Sequence, residues 1–261
     1  MKVIINADDF GLSHEVNMAI VEAFDKGLIT NTTVMTNMPG FEEAIELSKK
    51  HGFFDRVGIH FNIFEGVPLT EKIKRCTLFM EDGKLTSRKF FLQSYPYEKM
   101  PPPFSSKETS IDIREEAIAQ IKRYKEAGFT EMHFDSHGHS HTFPIVWSAI
   151  APVVKEAGFK SVRKSLNLPQ GNPLKILYKS FYNNLLIRGY YRTKFFTSGT
   201  GLFQSRGVLA DSEGWIEIMV HPVYDETTGE LRNLGNHPNL QEILEVANEI
   251  GDLYSYRELS E

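Results

Sequence analysis

The sequence predicts an α/β fold, an irregular (β/α) barrel of about seven parallel strands, with residues 1–261 forming one domain and a loop insertion at about 64–109. Three observations carry that prediction. Short apolar runs alternate with amphipathic segments that end at glycine, the pattern of parallel strands joined by helices. The chain has 261 residues, close to the roughly 250 of a single α/β barrel. The residues with acid–base or ligating chemistry sit where the apolar runs end.

The elements follow in order. Residues 2–7 (KVIINA) are a nearly continuous apolar run and predict a buried strand. Ser13 can cap a helix with the stripe Val16, Ile20, Ala23 and Phe24, and Gly27 ends it. The β-branched run 32–36 (TTVMT) predicts a second strand, 40–50 a helix and 57–61 (VGIHF) a third strand. Residues 64–109, rich in proline and aromatic residues, break the pattern and read as a functional loop over one end of the domain. The alternation then resumes with a helix over 111–127, a strand at 131–135, a helix from Pro144 to Gly158 and a short strand at 160–163. The segment 173–190 reads as helical, 215–220 (WIEIMV) as a strand, 239–250 as a helix and 252–255 as a last strand. An open doubly wound sheet is the alternative, but only the lone Gly11 follows the first strand, so no dinucleotide loop supports it.

Composition narrows the function. A formal net charge of −5 argues against a nucleic-acid or anionic-membrane partner. No run approaches the roughly 20 apolar residues of a membrane span. One cysteine, Cys76, allows no internal disulfide, and with no signal-peptide core after Lys2 it points to a cytoplasmic protein. Cys76 has Lys72, Lys74 and Arg75 near it but no histidine, and reads as a bystander thiol.

Asp8 and Asp9 end the first strand, His60 the third, Asp135 and His137 the strand at 131–135, Arg163 the next and His221 the strand 215–220. In a parallel barrel those ends share one face, where active sites are built. Each residue alone has a plainer reading. Asp8-Asp9 can cap the following helix, His60 can be a core histidine, and His221 in MVHP can be a turn residue. Adjacent strand carboxylates leave on opposite faces, so one can hold a cation while the other takes a proton. Asn62 and Glu65 follow His60 and read as substrate contacts. The run Asp135-Ser136-His137-Gly138-His139-Ser140-His141 is the most informative. In extended chain its alternate histidines share one side. His137, nearest the strand tip, is the expected ligand, with Asp135 a substrate contact and His139 and His141 either lining the substrate cleft or only supporting packing.

Together these residues resemble the YdjC-like carbohydrate deacetylase family, the chitooligosaccharide deacetylases. The matching motifs are 6–11 NADDFG, 30–33 TNTT, 58–61 GIHF, 135–137 DSH extended to His141, 217–222 EIMVHP and 255–257 SYR, spread over almost the whole chain. The resemblance implies a barrel of the glycoside hydrolase/deacetylase type and hydrolysis of the N-acetyl group of amino sugars. It implies metal ligands at Asp9, His60 and His137, a catalytic base at Asp8 and a catalytic acid at His221. For such a base to stay ionised, Arg163 at another strand tip is the expected partner. It also implies a small carbohydrate substrate, magnesium and a homodimer. Gly138 and Ser140 depart from the family tract DSHHHVH. Softness of two imidazoles and a carboxylate would favour zinc, cobalt or manganese instead, so the expectation is one divalent ion.

Two rivals stand beside this. A glycosidase acting on (phospho)disaccharides would use a carboxylate pair such as Asp8 and Asp135, but has no use for converging histidines. A non-catalytic sugar-binding protein would use the aromatic residues Phe79, Phe90, Phe91, Tyr95, Tyr97 and Phe104 for stacking, and would not need Asp8 and His221 on opposite sides of a cation.

Overall fold

The computed structural model describes residues 1–93, 106–168, 173–235 and 238–261. Strand β1 (Lys2–Phe10) is followed by α1 (His14–Asp25), β2 (Asn31–Val34), α2 (Phe41–Lys50) and β3 (Val57–Phe61). The insertion holds a hairpin, β4 (Met80–Glu81) with β5 (Lys84–Leu85), and the short α3 (Arg88–Gln93). Next come α4 (Lys107–Glu126), β6 (His133–Ser136), α5 (Pro144–Glu156), β7 (Ser161–Val162) and α6 (Pro173–Phe181). Then follow β8 (Phe195–Ser198), α7 (Gly199–Ala210), β9 (Trp215–Val220), the hairpin β10 (Pro222–Tyr224) with β11 (Leu231–Asn233), α8 (Leu240–Ile250), β12 (Asp252–Leu253) and α9 (Tyr256–Leu259).

Seven parallel strands run in the order β7-β6-β3-β2-β1-β9-β8, with β12 beside the start of β1. The sheet curls, and among the described residues loop contacts link its two edges. Leu168 N–H donates to Phe196 O at 3.3 Å, and Asn167 N–H to the same oxygen at 3.2 Å. The expected barrel is therefore present but incompletely closed.

Side-chain alternation positions the site. Along β1, Val3, Ile5 and Ala7 join the large core under the helices, while Ile4 belongs to a separate small cluster with Tyr256 and Leu259 inside the barrel. Helix α9 plugs that end, and the Tyr256 ring stacks on His133 at 3.4 Å. On the same face of β1, Asn6 and Asp8 succeed Ile4, so the interior turns from apolar to charged toward the strand tips. Gly58 is needed there, because a Cβ would lie 3.1 Å from the His133 carbonyl oxygen.

Several sequence expectations are corrected. Helix α4 starts at Lys107, because the Ser106 hydroxyl caps it by accepting from Thr109 N–H. Strand β8 and helix α7 were not expected. The helical reading of 173–190 breaks into α6 and a π turn, Tyr182–Leu186. The last strand is two residues long. In the insertion, Phe79 and Phe90 are fully buried and pack with Phe64 and Phe143, so they form a core, not a sugar platform. Phe91 is exposed, whereas Tyr95, Tyr97 and Phe104 lie outside the described residues.

Candidate active site

The tip of β1 carries an irregularity. Pairing with β2 shifts register between Ala7 and Phe10, and Asp9 adopts φ 70°, a left-handed conformation unusual for a residue with a side chain. The bulge turns both carboxylates to the mouth, not to opposite faces as simple alternation predicts. Asp8 meets Arg163, with both oxygens bound at 2.7 Å. Asp9 Oδ1 lies 3.2 Å from His60 Nε2 and 2.8 Å from His137 Nδ1.

Beneath them lies a closed charge cluster. The fully buried Arg163 also pairs with Asp135 at 2.7 Å and with Glu217 through Nε. Burial would raise the Asp8 pKa, but the guanidinium holds its carboxyl well below the usual range. Burial lifts Glu217 to about 7 despite Arg163. Asp135 Oδ1 receives His60 Nδ1 at 2.7 Å, which directs Nε2 toward Asp9.

The mouth is different. Burial opposes a charged His60, yet Asp135, Asp8 and Asp9 raise its pKa to about 10. Burial also opposes charge on His137, but Asp9 and Glu65 raise it to about 9. Two histidines that hold protons so strongly mark a place with an excess of negative potential. His221 Nε2 lies 3.9 Å from Asp9 Oδ2 and 4.0 Å from Asp8 Oδ2, beyond hydrogen-bond reach. Asp8 and His221 are thus neighbours at the mouth. The His221 N–H donates to Asn233 Oδ1 at 2.8 Å.

Among the described residues, three groups have ligating atoms within 4.8 Å of one another: Asp9, His60 and His137; Asp8, His60 and Asp135; His133, Asp135 and Glu217. In the last two the carboxylates are already paired with the one guanidinium of Arg163. Only the first offers a carboxylate and two imidazoles without a resident cation. That donor set fits a divalent ion, and the carboxylate behind His60 is the support such ligands usually have.

The expected substrate contacts divide. Asp135 is fully buried and bonded to His60, Arg163 and Thr33, so no oxygen remains for a sugar. His141 is equally buried, with Nδ1 on the Ser136 hydroxyl and Nε2 on the Arg163 carbonyl oxygen at 3.1 Å. The side chain of buried Asn62 binds its own turn. The alternation read in 137–141 fails because Gly138 and His139 are both left-handed, at φ 57° and 54°, and turn the chain into a 3-10 segment. His139 differs, since its buried Nδ1 has no partner among the described residues and its ring stands edge-on to Phe196. Burial, helped by the nearby Arg163 charge, pushes His139 down to about 3, so it is neutral.

Sequence reasoning missed Asn6, Thr33 and Glu217. Asn6 Nδ2 donates to Asp8 Oδ1 at 2.8 Å, and the Thr33 hydroxyl donates to Asp135 Oδ2 at 3.1 Å. Each is polar within a buried strand, and that was the available signal, because an unpaired polar group there is costly.

The family model for YdjC-like proteins matches residues 2–253. The chain belongs to the YdjC-like family. A carbohydrate deacetylase of Halalkalibacterium halodurans is 33% identical to this YdjC-like chain over 232 residues, 86% of each protein. One from Clostridium beijerinckii is 30% identical over 227 residues, 86% of this chain and 82% of that protein. Carbohydrate deacetylase 2 of Listeria innocua is 38% identical over 160 residues, 60% of this chain and 58% of its own. Among solved structures, a protein of Enterococcus faecalis proposed to cleave cellobiose phosphate superposes with a TM-score of 0.71. Its sequence is 22% identical, and the match covers 100% of this chain and 99% of that one. That likeness concerns the fold. No helix among the described residues is long and apolar enough to cross a membrane.

Proposed function

We propose that this chain is a carbohydrate N-deacetylase, a hydrolase that uses one divalent ion to remove the acetyl group from amino sugars or short chitin-type oligosaccharides. The observation that carries the reading is the meeting of Asp9, His60 and His137 beside an Arg163-bound Asp8 and a half-exposed His221. The names of the relatives at 33% and 30% identity support the same chemistry.

In this reading Asp9, His60 and His137 hold the ion. When bound, it supplies Lewis acidity, polarising the acetyl carbonyl and lowering the pKa of an attacking water toward about 7. Asp8 takes the proton of that water, and Arg163 keeps its carboxylate charged and fixed in direction. His221 gives a proton to the amine, which leaves poorly without one. Positioned acid–base groups contribute about 100- to 10,000-fold each. In this reading His139 and the exposed Phe91 would meet the sugar. One domain spans residues 1–261, with the insertion as its substrate-facing part. A homodimer in the cytoplasm belongs to the same proposal, supported by the apolar Ile176, Leu177, Phe181 and Leu185 exposed on and beyond α6.

The test is an assay of a panel of N-acetylated amino sugars with magnesium, manganese, cobalt or zinc, following both acetate and new reducing ends. Acetate without reducing ends is the expected result. Reducing ends without acetate would establish the glycosidase instead.

A further inference from the structure

Glu65 reads from sequence as a sugar contact, but its surroundings give it another task. Its Oε2 lies 3.3 Å from His137 Nε2, the ring nitrogen opposite the one on Asp9. The backbone of Glu65 is fixed from several sides. The Asn62 side chain accepts from Glu65 N–H at 3.1 Å and donates to Glu65 O at 2.8 Å. Asn37 Nδ2 reaches the same carbonyl at 3.3 Å and Val67 O at 3.2 Å.

The next residues are latched to helix α4. Buried Glu116 accepts from Leu69 N–H, Thr70 N–H and the Thr70 hydroxyl. Gln120 exchanges two hydrogen bonds with the backbone of Asn62. On the far side, Gly138 packs so closely on Phe64 that a Cβ there would lie 2.9 Å from the ring. The turn 62–65 and the tip 137–138 therefore interlock, and the half-exposed Glu65 carboxylate is held against the back of His137.

We infer that Glu65 is a positioning residue for the cation site: it orients the His137 ring from behind, as Asp135 orients His60. The inference rests on Asp9, His60 and His137 being the ligands. It makes ion affinity depend on the first turn of the insertion, and it assigns Glu65 no contact with sugar. A ligating histidine whose outer carboxylate is removed typically loses about 10- to 100-fold in metal affinity.

The experiment is calorimetric titration of the full chain with Mn²⁺ and with Zn²⁺, for wild type, Glu65→Gln and Asn62→Ala, together with KM for an acetylated amino sugar at saturating ion. A visible spectrum of the Co²⁺-loaded forms reads the ligand field directly. The expected result is about 10- to 100-fold weaker ion binding in Glu65→Gln, an altered Co²⁺ spectrum and an unchanged KM. Asn62→Ala is expected to weaken ion binding in the same direction. Unchanged ion affinity with a raised KM would overturn the inference and restore Glu65 as a sugar contact. Failure of the folded wild type to bind either ion would instead remove the cation site itself.

Discussion

Two charged regions lie one above the other in this barrel and behave in opposite ways. In the floor, Arg163 joins Asp8, Asp135 and Glu217 in a fully buried set in which one guanidinium pairs with all three carboxylates. At the mouth, Asp9, His60 and His137 crowd together with no permanent cation, and the imidazoles take protons in its place. The same residue types serve as structure where the countercharge is built in, and as a receptor where it is not. Asp135 links the two levels, with one oxygen on His60 and the other on Arg163.

The sharpest way to break the comparison is to remove the built-in cation. Arg163→Met takes the guanidinium away from three buried carboxylates, and breaking a buried pair in this way costs about 3–5 kcal/mol. Urea unfolding is expected to register a loss of that size and acetate release to vanish. A variant as stable as wild type would mean that the floor is not held by Arg163.

Changes at Asp8, in the floor, and at His221, at the mouth, are expected to act on the chemistry. Asp8→Asn and His221→Ala are each expected to lower turnover by about 100- to 10,000-fold while calorimetric ion binding persists. Normal turnover in either variant would strike that residue from the mechanism.

The mouth itself responds to pH. Without an ion, His60 and His137 keep their protons up to about 10 and about 9. Their contribution to stability is complete below the ordinary histidine value of 6.5 and is lost as pH rises through those two values. An ion needs neutral imidazoles, so its binding releases protons. Its affinity is expected to rise by about tenfold to about a hundredfold per pH unit above neutrality, depending on whether one or two protons leave. Titrations in buffers of different ionisation enthalpy count them. An affinity flat from about pH 7 to about pH 9 would contradict the raised values.

The smallest effect tests the interlock at the rim. Gly138→Ala forces a side chain into φ 57° and a Cβ to 2.9 Å from Phe64. A loss of about 1–2 kcal/mol in unfolding free energy is expected, with ion affinity reduced alongside.

Much of this was legible in the sequence for a physical reason. Strands buried on both faces read as apolar runs, so β1, β3 and β9 stand out, and their tips point to Asp8, Asp9, His60 and His221. Helix α7 was hidden because its sequence, GTGLFQSRGVLA, contains three glycines and lacks an amphipathic stripe. Gly199 packs closely, since a Cβ there would lie 2.6 Å from Ile243 Cδ1 and the isoleucine would have to shift. The left-handed turns at Asp9 and His139 were equally hidden, because neither is glycine and only the tertiary contacts hold them. Asn62, Asp135 and His141 looked like sugar contacts because they are polar residues near strand tips. Their hydrogen bonds turn inward, which sequence spacing cannot reveal.

The central claim is that the mouth of the barrel is a cation site and that the chemistry depends on it. The direct measurement is acetate release by protein stripped with a chelator and then titrated with a divalent ion, with binding followed by calorimetry on the same sample. One ion per chain is expected, activity should return in proportion to occupancy, and Asp9→Asn should recover neither. Full acetate release from the stripped protein would contradict the account.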